Sequence, residues 1–272
     1  LSAGHLIAGL TLVQIQIAVS ALRWRFTAAR LGEIMPLPLA VSEYYVASFL
    51  NQTLPGGVAG DAVRAYRMRS DGPGGWKRPA KAVLFERLSG QMALFVLALS
   101  GLFVWPLVLG GEEAGEFSLH IALGFILVVA AIGGGMIVIK QRFSWIRQLS
   151  DEVSAVFVRD GALLIQAGMS LLIVATYVAC FFLASDAVGA QLPWTAALTV
   201  IPLSLVVMLI PAGFGGWGTR EAAAMALWPL VGSTSTEGLA ASIVYGGLSL
   251  AGALPGLVIL SLGAIRGRPR RA

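Results

Sequence analysis

Residues 161–187 read GALLIQAGMSLLIVATYVACFFLASDA, an apolar run with no Lys or Arg and a single Asp near its far end. A helix needs roughly 20 mostly apolar residues to cross the hydrocarbon of a bilayer, so this stretch makes lipid the solvent and a transmembrane helix the element. Working outward, four more runs of that kind lie at about 3–22, 82–108, 117–139 and 236–263. The strands of a membrane barrel would alternate in hydropathy over about ten residues, and helix-length runs argue against that. Apolar residues are 57% of the chain and charged ones 12%, which leaves no room for a sizeable soluble domain. Residues 1–272 are therefore expected to form a single transmembrane domain, an all-α integral membrane protein built as a polytopic helical bundle.

The charges set an expected topology, because cytoplasmic loops collect Lys and Arg. Arg23, Arg25 and Arg30 follow the first run, and Arg64, Arg67, Arg69, Lys77, Arg78, Lys81 and Arg87 fill the next polar region. The gap before Lys140 holds Glu112, Glu113 and Glu116 but no Lys or Arg, and basic residues return at Lys140, Arg142, Arg147 and Arg159 and again from Arg266 to the end. This pattern predicts the N-terminus outside, 23–81 inside, 110–116 outside, 140–160 inside, 188–235 outside and the C-terminus inside, in a multi-pass protein of the cell (cytoplasmic) membrane. Two further apolar stretches, about 39–54 and 195–210, are too short for an untilted crossing and end in Pro-Gly-rich sequence. A full crossing at 39–54 would put two basic clusters on opposite sides, so both stretches read as re-entrant.

Those stretches end in a repeat. LPGGVAGDAVRA begins at Leu54 and IPAGFGGWGTRE begins at Ile210. Pro55, Gly57, Gly60 and Arg64 align with Pro211, Gly213, Gly216 and Arg220 at one constant offset, and Gly90 falls opposite Gly246 at that offset. The first repeat spans about 36–108 and the second about 193–263. Three expected crossings separate them, so the repeat is inverted, with two broken-helix hairpins entering from opposite faces. Inverted repeats with broken helices are a recurring transporter plan, in which helix N-termini point at anionic groups near the midplane.

Pro removes a backbone donor and Gly admits angles other residues avoid. The motif therefore breaks a helix at membrane depth, where the freed backbone has to be buried in protein or face water. Asp61 and Thr219 stand where N-caps of restarting helices would, and free N–H groups together with Arg64 or Arg220 would suit an anion. An arginine at the bilayer centre costs about 2.5–3.5 kcal/mol on insertion scales, so each is expected to face a cavity or a carboxylate. Snorkelling to headgroups is the alternative for Arg64, whereas Arg220 is the only Lys or Arg between Arg159 and Arg266. Glu86 and Arg87 open the next span, and as sequence neighbours on a helix they need other partners; Arg64 and Asp61 are the candidates. Glu221 suits the first turn of its helix or a proton-linked role. With Asn51 at the head of the first motif, the expected substrate-binding set is Arg64, Arg220, Asp61, Glu86, Arg87, Glu221 and Asn51, around the hairpin-breaking Pro55, Gly57, Gly60, Pro211, Gly213 and Gly216.

Other signals are weaker. Cys180 lies in an apolar run and reads as packing, and His5 and His120 have no ligand spacing around them. Gly252 and Gly256 form a GxxxG suited to helix packing. Gly213, Gly215 and Gly218 give GxGxxG without a surrounding βαβ unit, so a dinucleotide site is rejected. Trp24, Trp105 and Trp194 fit an interfacial belt. The sequence offers no nucleophile with a base, metal cluster or P-loop, so the expectation is no catalytic residues, no metal, no cofactor and no enzyme activity. The chain opens on Leu1 with no basic leader, so a cleavable signal peptide is not expected.

Three segments, FLNQTLPGGVAGDAVRAYRM, AVLFERLSGQMAL and LIPAGFGGWGTREAA, with the closing Gly-rich span, resemble the lysylphosphatidylglycerol synthase transmembrane-region family over nearly the whole chain. This is the membrane half of the bacterial multiple peptide resistance factor and of stand-alone relatives. The resemblance implies a flippase-like domain that moves an anionic, aminoacylated or otherwise lipid-linked headgroup between leaflets. The expected partners are membrane lipids with anionic headgroups and a separate synthase or a second copy of the chain; nucleic acid is not among them. The competing expectation is an accessory subunit of a lipid synthase that binds lipid without transporting it. The family's usual first helix has no counterpart before Leu1, and its common Gly-Gly reads Ala59-Gly60 here. The chain ends in a basic tail at Ala272, so synthase activity is expected to be absent.

Overall fold

The computed structural model describes residues 1–72, 74–109, 123, 144–210 and 213–265. Among the described residues, four helices are long and apolar enough to cross a membrane: α1 (Ala3–Arg30), α4 (Lys77–Gly101), α7 (Ala162–Ala187) and α10 (Ser235–Ile265). Four of the five expected spans are thus present as helices. The span expected at 117–139, together with Glu112, Glu113, Glu116, His120, Pro211 and the C-terminal arginines, lies outside the described residues but for Leu123. The first span runs further than its apolar stretch: no breaker interrupts α1 until Gly32, which closes it at φ 83°. Arg23 is therefore a mid-helix residue and not part of a loop.

Between the long helices lie shorter ones: α2 (Leu37–Thr53), α3 (Ala59–Arg67), α5 (Trp105–Leu109), α6 (Ser144–Phe157), α8 (Val200–Val207) and α9 (Thr219–Leu227). At 1.5 Å per residue the 17 residues of α2 extend about 25 Å, short of the ~30 Å hydrocarbon core, and α8 covers half of that.

Cross-contacts order the bundle. α1 and α7 run antiparallel: His5 meets Asp186 at 3.0 Å, Gln166 donates to Thr27 at 2.9 Å, and Arg30 meets Asp160 at 3.1 Å. Lys81, near the start of α4, pairs with Glu152 of α6 at 2.7 Å, and Arg30 donates to the carbonyl of Ala155 at 2.7 Å. One end of the bundle thus gathers Arg30, Lys81 and Arg159. The end of α4 reaches the opposite pole, where Gly101 is packed so closely on the Leu198 carbonyl that a Cβ would lie 1.7 Å from it. α10 runs parallel to α1, with Leu248 against Gly9 and Gly252 against Val13.

Small residues allow these approaches, as lipid-embedded helices require. The Gly252/Gly256 pair packs as its spacing suggests, with Gly256 set against the Tyr45 carbonyl of α2. Cys180 is fully buried among apolar side chains. The tryptophans divide: Trp194 is exposed, but Trp24 and Trp105 are buried and do not belong to an interfacial belt.

Gly60, expected to break the hairpin, is instead an internal residue of α3. Its Cβ would lie 2.1 Å from the Ala47 carbonyl, so it lets α3 lie on α2. Gly60→Ala is expected to lower stability by about 1–3 kcal/mol, the usual range for overpacking, read as a fall in the melting temperature of detergent-solubilised protein. Gly247→Ala, where a Cβ meets nothing within 4 Å, should leave it unchanged.

Candidate functional site

Pro55 ends the path of α2, and Gly56 and Gly57 turn the chain with φ of 82° and 63°. The second break turns through Gly215, Gly216 and Gly218. At Gly216 two constraints coincide, a φ of 83° and a Met208 side chain 1.9 Å from any Cβ. The two breaks meet: the Gly56 N–H donates to the Gly213 carbonyl at 2.9 Å. Of the expected breakers, Pro55, Gly57, Gly213 and Gly216 thus stand in the turns, and Pro211 is not described.

The restarting helices are capped differently from the sequence expectation. Val58 holds the N-cap of α3 and Asp61 sits in its first turn; Gly218 holds the N-cap of α9 and Thr219 is its first residue. Side chains from elsewhere answer the free donors. The Asn51 amide oxygen, across the turn, accepts from the Gly60 N–H at 2.8 Å, and Glu221 reaches back to the Gly218 N–H at 2.5 Å. Both are charge- or dipole-favoured positions for an acceptor.

Around the first break lies a buried ion cluster. Glu86, almost wholly buried on α4, accepts from Arg23 at 2.7 Å and from Arg64 at 3.0 Å, and Tyr44 donates to it at 3.2 Å. Asp61 accepts from Arg64 at 2.8 Å, from Asn51 at 3.3 Å, and from Arg87. The foreseen partners are thus among those present, Arg64 on Glu86 and Asp61 on Arg87, while Arg23 and Tyr44 on Glu86 were not foreseen. A side chain removed from water needs such pairing, since an unpaired buried charge is very costly.

Arg64 does not snorkel. It is buried between the rings of Trp24 and Tyr44, 4.5 and 4.6 Å from the ring centres, a cation–π sandwich behind the two carboxylates. Arg23, read as part of a basic loop, bridges Glu86 and Ser170, and Ser170, Ser89, Gln166 and Thr27 continue a buried polar chain across α1, α4 and α7. The sequence did carry a signal for it: Ser20, Arg23 and Thr27 share one helix face at spacings of three and four.

The second break carries a simpler version. Arg220, 2% exposed, donates through Nε to Ser242 at 2.9 Å and through Nη2 to Glu221 at 2.7 Å. Trp217 and Tyr245 flank it at 5.1 and 5.0 Å. Its remaining nitrogen, Nη1, has among the described residues only the Met208 sulfur at 3.9 Å, a weak acceptor.

A cavity of about 240 Å³ lies where the two breaks meet. Among the expected site residues, Asn51, Asp61, Glu86, Arg87 and Arg220 line it with the backbone of Gly57, Gly213 and Gly216, and Arg23 joins them. Arg64, Glu221 and Gly60 are not on its wall. The arrangement suits a small polar group: guanidinium donors and carboxylates already paired with them, on a wall that also carries apolar side chains. Among the described residues there is no cluster of His, Cys, Asp and Glu able to hold a metal ion.

The family described as Lysylphosphatidylglycerol synthase TM region matches the chain over residues 1–256. Comparison with curated proteins found no match.

Glu86 is the hub of the cluster. Glu86→Gln leaves two buried guanidiniums short of a counter-charge and is expected to cost about 3–5 kcal/mol, measured by thermal unfolding in detergent. Asp61→Asn should cost less, because its side chain retains 14% exposure. Equal losses would show that Glu86 does not carry the cluster.

Proposed function

As a member of the lysylphosphatidylglycerol synthase transmembrane-region family, this multi-pass membrane protein is, we propose, a lipid translocator that passes a polar headgroup between leaflets through the cavity at the two breaks. The observation that carries the reading is the meeting of the breaks over a shared polar cavity, with Arg87 and Arg220 on its wall.

In this reading α2–α3 and α8–α9 are re-entrant hairpins that enter from opposite faces of the membrane. Supporting it, α3 folds back along α2, through Gly60 against Ala47 and an Arg67–Glu43 ion pair at 2.5 Å. The approach to α8 begins beside Gly101, at the pole opposite Arg30. The inverted repeat also extends beyond the motifs. At the offset that pairs Pro55 with Pro211, α1 falls on α7, α3 on α9 and α4 on α10. Arg64–Glu86 and Arg220–Ser242, each pair separated by 22 positions, then occupy corresponding places. The antiparallel course of α1 and α7 is what inversion demands.

The pole holding Arg30, Lys81 and Arg159 faces the cytoplasm by the positive-inside rule, which puts the N-terminus outside and the end of α10 inside the cytoplasmic membrane. Inverted repeats of this kind place the substrate between them near the midplane. The headgroup contacts fall to Arg87 and Arg220, while Arg64 positions Glu86 and Asp61 from behind. No bond is made or broken, so the protein is a carrier and not an enzyme.

The test is lipid movement in proteoliposomes carrying chain-labelled phosphatidylglycerol or a polyprenyl-phosphate-linked lipid. Arg220→Ala should slow translocation by roughly 10- to 150-fold, the loss expected when a buried charged hydrogen-bond donor of about 1.5–3 kcal/mol is removed. Equal movement by wild type and variant would sink the reading.

A further inference from the structure

Five uncharged hydrogen-bonding side chains also line the cavity: Gln16 and Ser20 of α1, Ser48 of α2, Gln91 of α4 and Tyr177 of α7. Among the described residues none of these side chains has a hydrogen-bond partner in the protein. Ser20 is only 3% exposed, so the cavity is the route by which a partner reaches its hydroxyl. Polar groups taken out of water are costly unless something meets them, and a wall that carries five of them suits an occupant that hydrogen-bonds.

The five form one layer beside the ion cluster. α1 runs antiparallel to α7, and its Arg23 lies against Gly90 of α4. α2 runs antiparallel to α10, with Tyr45 against Gly256 and Gln52 donating to the Ser249 carbonyl. Ser20 and Gln16 precede Arg23 by three and seven residues, Ser48 follows Tyr44 by four, Gln91 follows Glu86 by five and Tyr177 follows Ser170 by seven. Every one of these steps leads away from the pole of Arg30 and Lys81, by about 5–10 Å at 1.5 Å per residue. The cavity is thus ionic at one level and neutral at the next. Gln91 stands one turn beyond Arg87 on the same face of α4, which joins the two levels.

The chemistry of the neutral layer is specific. Carboxamides and hydroxyls both donate and accept hydrogen bonds. An ionised phosphate only accepts and an ammonium only donates, so each would use half of what the layer offers. A hydroxyl group uses both. The cavity, about 240 Å³, is smaller than the roughly 300–1,000 Å³ of pockets that engulf a drug-sized ligand, so it accommodates a headgroup and not acyl chains. Leu54 and Val58 at one break and Ile210 and Phe214 at the other are exposed, an apolar rim for the chains to lie on.

We propose that Gln16, Ser20, Ser48, Gln91 and Tyr177 form a subsite for the free hydroxyl groups of a lipid whose headgroup ends in a polyol or a sugar. The proposal rests on the translocator reading above and adds to it a specificity set by hydroxyls and not by charge.

The experiment holds charge constant. Proteoliposomes of the purified full chain carry chain-labelled phosphatidylglycerol or chain-labelled phosphatidylpropanol, the second lacking the headgroup hydroxyls of the first, and movement is followed by chemical quenching of the label in the outer leaflet. Phosphatidylglycerol should move roughly tenfold faster, the contribution of one or two neutral hydrogen bonds. Gln91→Leu and, separately, Gln16→Leu keep the side-chain volume and remove its hydrogen bonding; each should bring the two lipids within about threefold of each other. The ratio is read within one preparation, so a smaller folded fraction lowers both rates and leaves the ratio as it was. Millimolar free glycerol should leave the wild-type rate unchanged; inhibition by it would overturn the assignment to a lipid in favour of a free polyol. Equal wild-type rates, or a faster phosphatidylpropanol, would overturn hydroxyl recognition and leave translocation standing. A full preference in both variants would overturn its assignment to these side chains. Movement of neither lipid above protein-free vesicles would overturn the translocator reading itself.

Discussion

The constraint on which the site depends is the burial of three guanidiniums, of Arg23, Arg64 and Arg220, inside a bundle whose outer surface meets lipid. Each needs acceptors or aromatic faces within the protein, because a buried charge without them is costly. Glu86 does most of this for the first break: one carboxylate on α4 ties Arg23 of α1 to Arg64 of α3. Asp61 then links the cluster to Arg87, and Arg67–Glu43 fastens the far end of α3 to α2. A nine-residue helix, too short to be stable alone, is held in register by charge pairs at both of its ends and by the close approach at Gly60.

The second constraint is broken backbone at depth. Where Pro and Gly interrupt a helix, freed N–H and C=O groups need partners, and here the breaks supply them to each other and to themselves. Gly56 donates to Gly213, Asn51 satisfies Gly60, and Glu221 satisfies Gly218. The helix N-termini, which in isolation would invite an anion, are therefore already occupied by side chains of the protein. In the translocator reading proposed above, the contacts to a headgroup therefore fall to the guanidinium edges of Arg87 and Arg220 and not to the helix ends.

Much of this was legible in the sequence, for identifiable reasons. A crossing helix announces itself by an apolar run, so α4, α7 and α10 were readable, and the repeated Pro-Gly-Arg spacing led to both breaks and to Arg220. Arg23 was not readable by the same logic, because an arginine at the end of an apolar run ordinarily marks a membrane boundary; only the polar face shared with Ser20 and Thr27 spoke otherwise. Trp24 followed it, being read as an interfacial residue when it is the platform beneath Arg64. Arg64 and Arg87 were both expected to bind substrate, and only Arg87 lies on the cavity wall; Arg64 is tied instead to the carboxylates of Asp61 and Glu86, which line the cavity, and no local pattern encodes that order. Gly60 was taken for a breaker because a glycine that permits a turn and one that permits close packing look alike in one dimension.

The two breaks are not equivalent in chemistry. At the register that pairs Arg64 with Arg220, Glu86 corresponds to Ser242, Asp61 to Trp217 and Arg87 to Ile243. The first side is therefore an ion network and the second an arginine held by one carboxylate, one hydroxyl and two aromatic faces. In the translocator reading proposed above, a headgroup oxygen that engages Arg87 competes with the carboxylate of Asp61, whereas one that engages Arg220 Nη1 displaces, among the described residues, a thioether contact. Charge-assisted bonds to a carboxylate are far stronger than a contact to sulfur, so the second side offers the lower cost of entry. The first side can then release a headgroup by letting Arg87 return to Asp61. On that reading, an easy hold on one side and a built-in competitor on the other let the site bind a headgroup without trapping it.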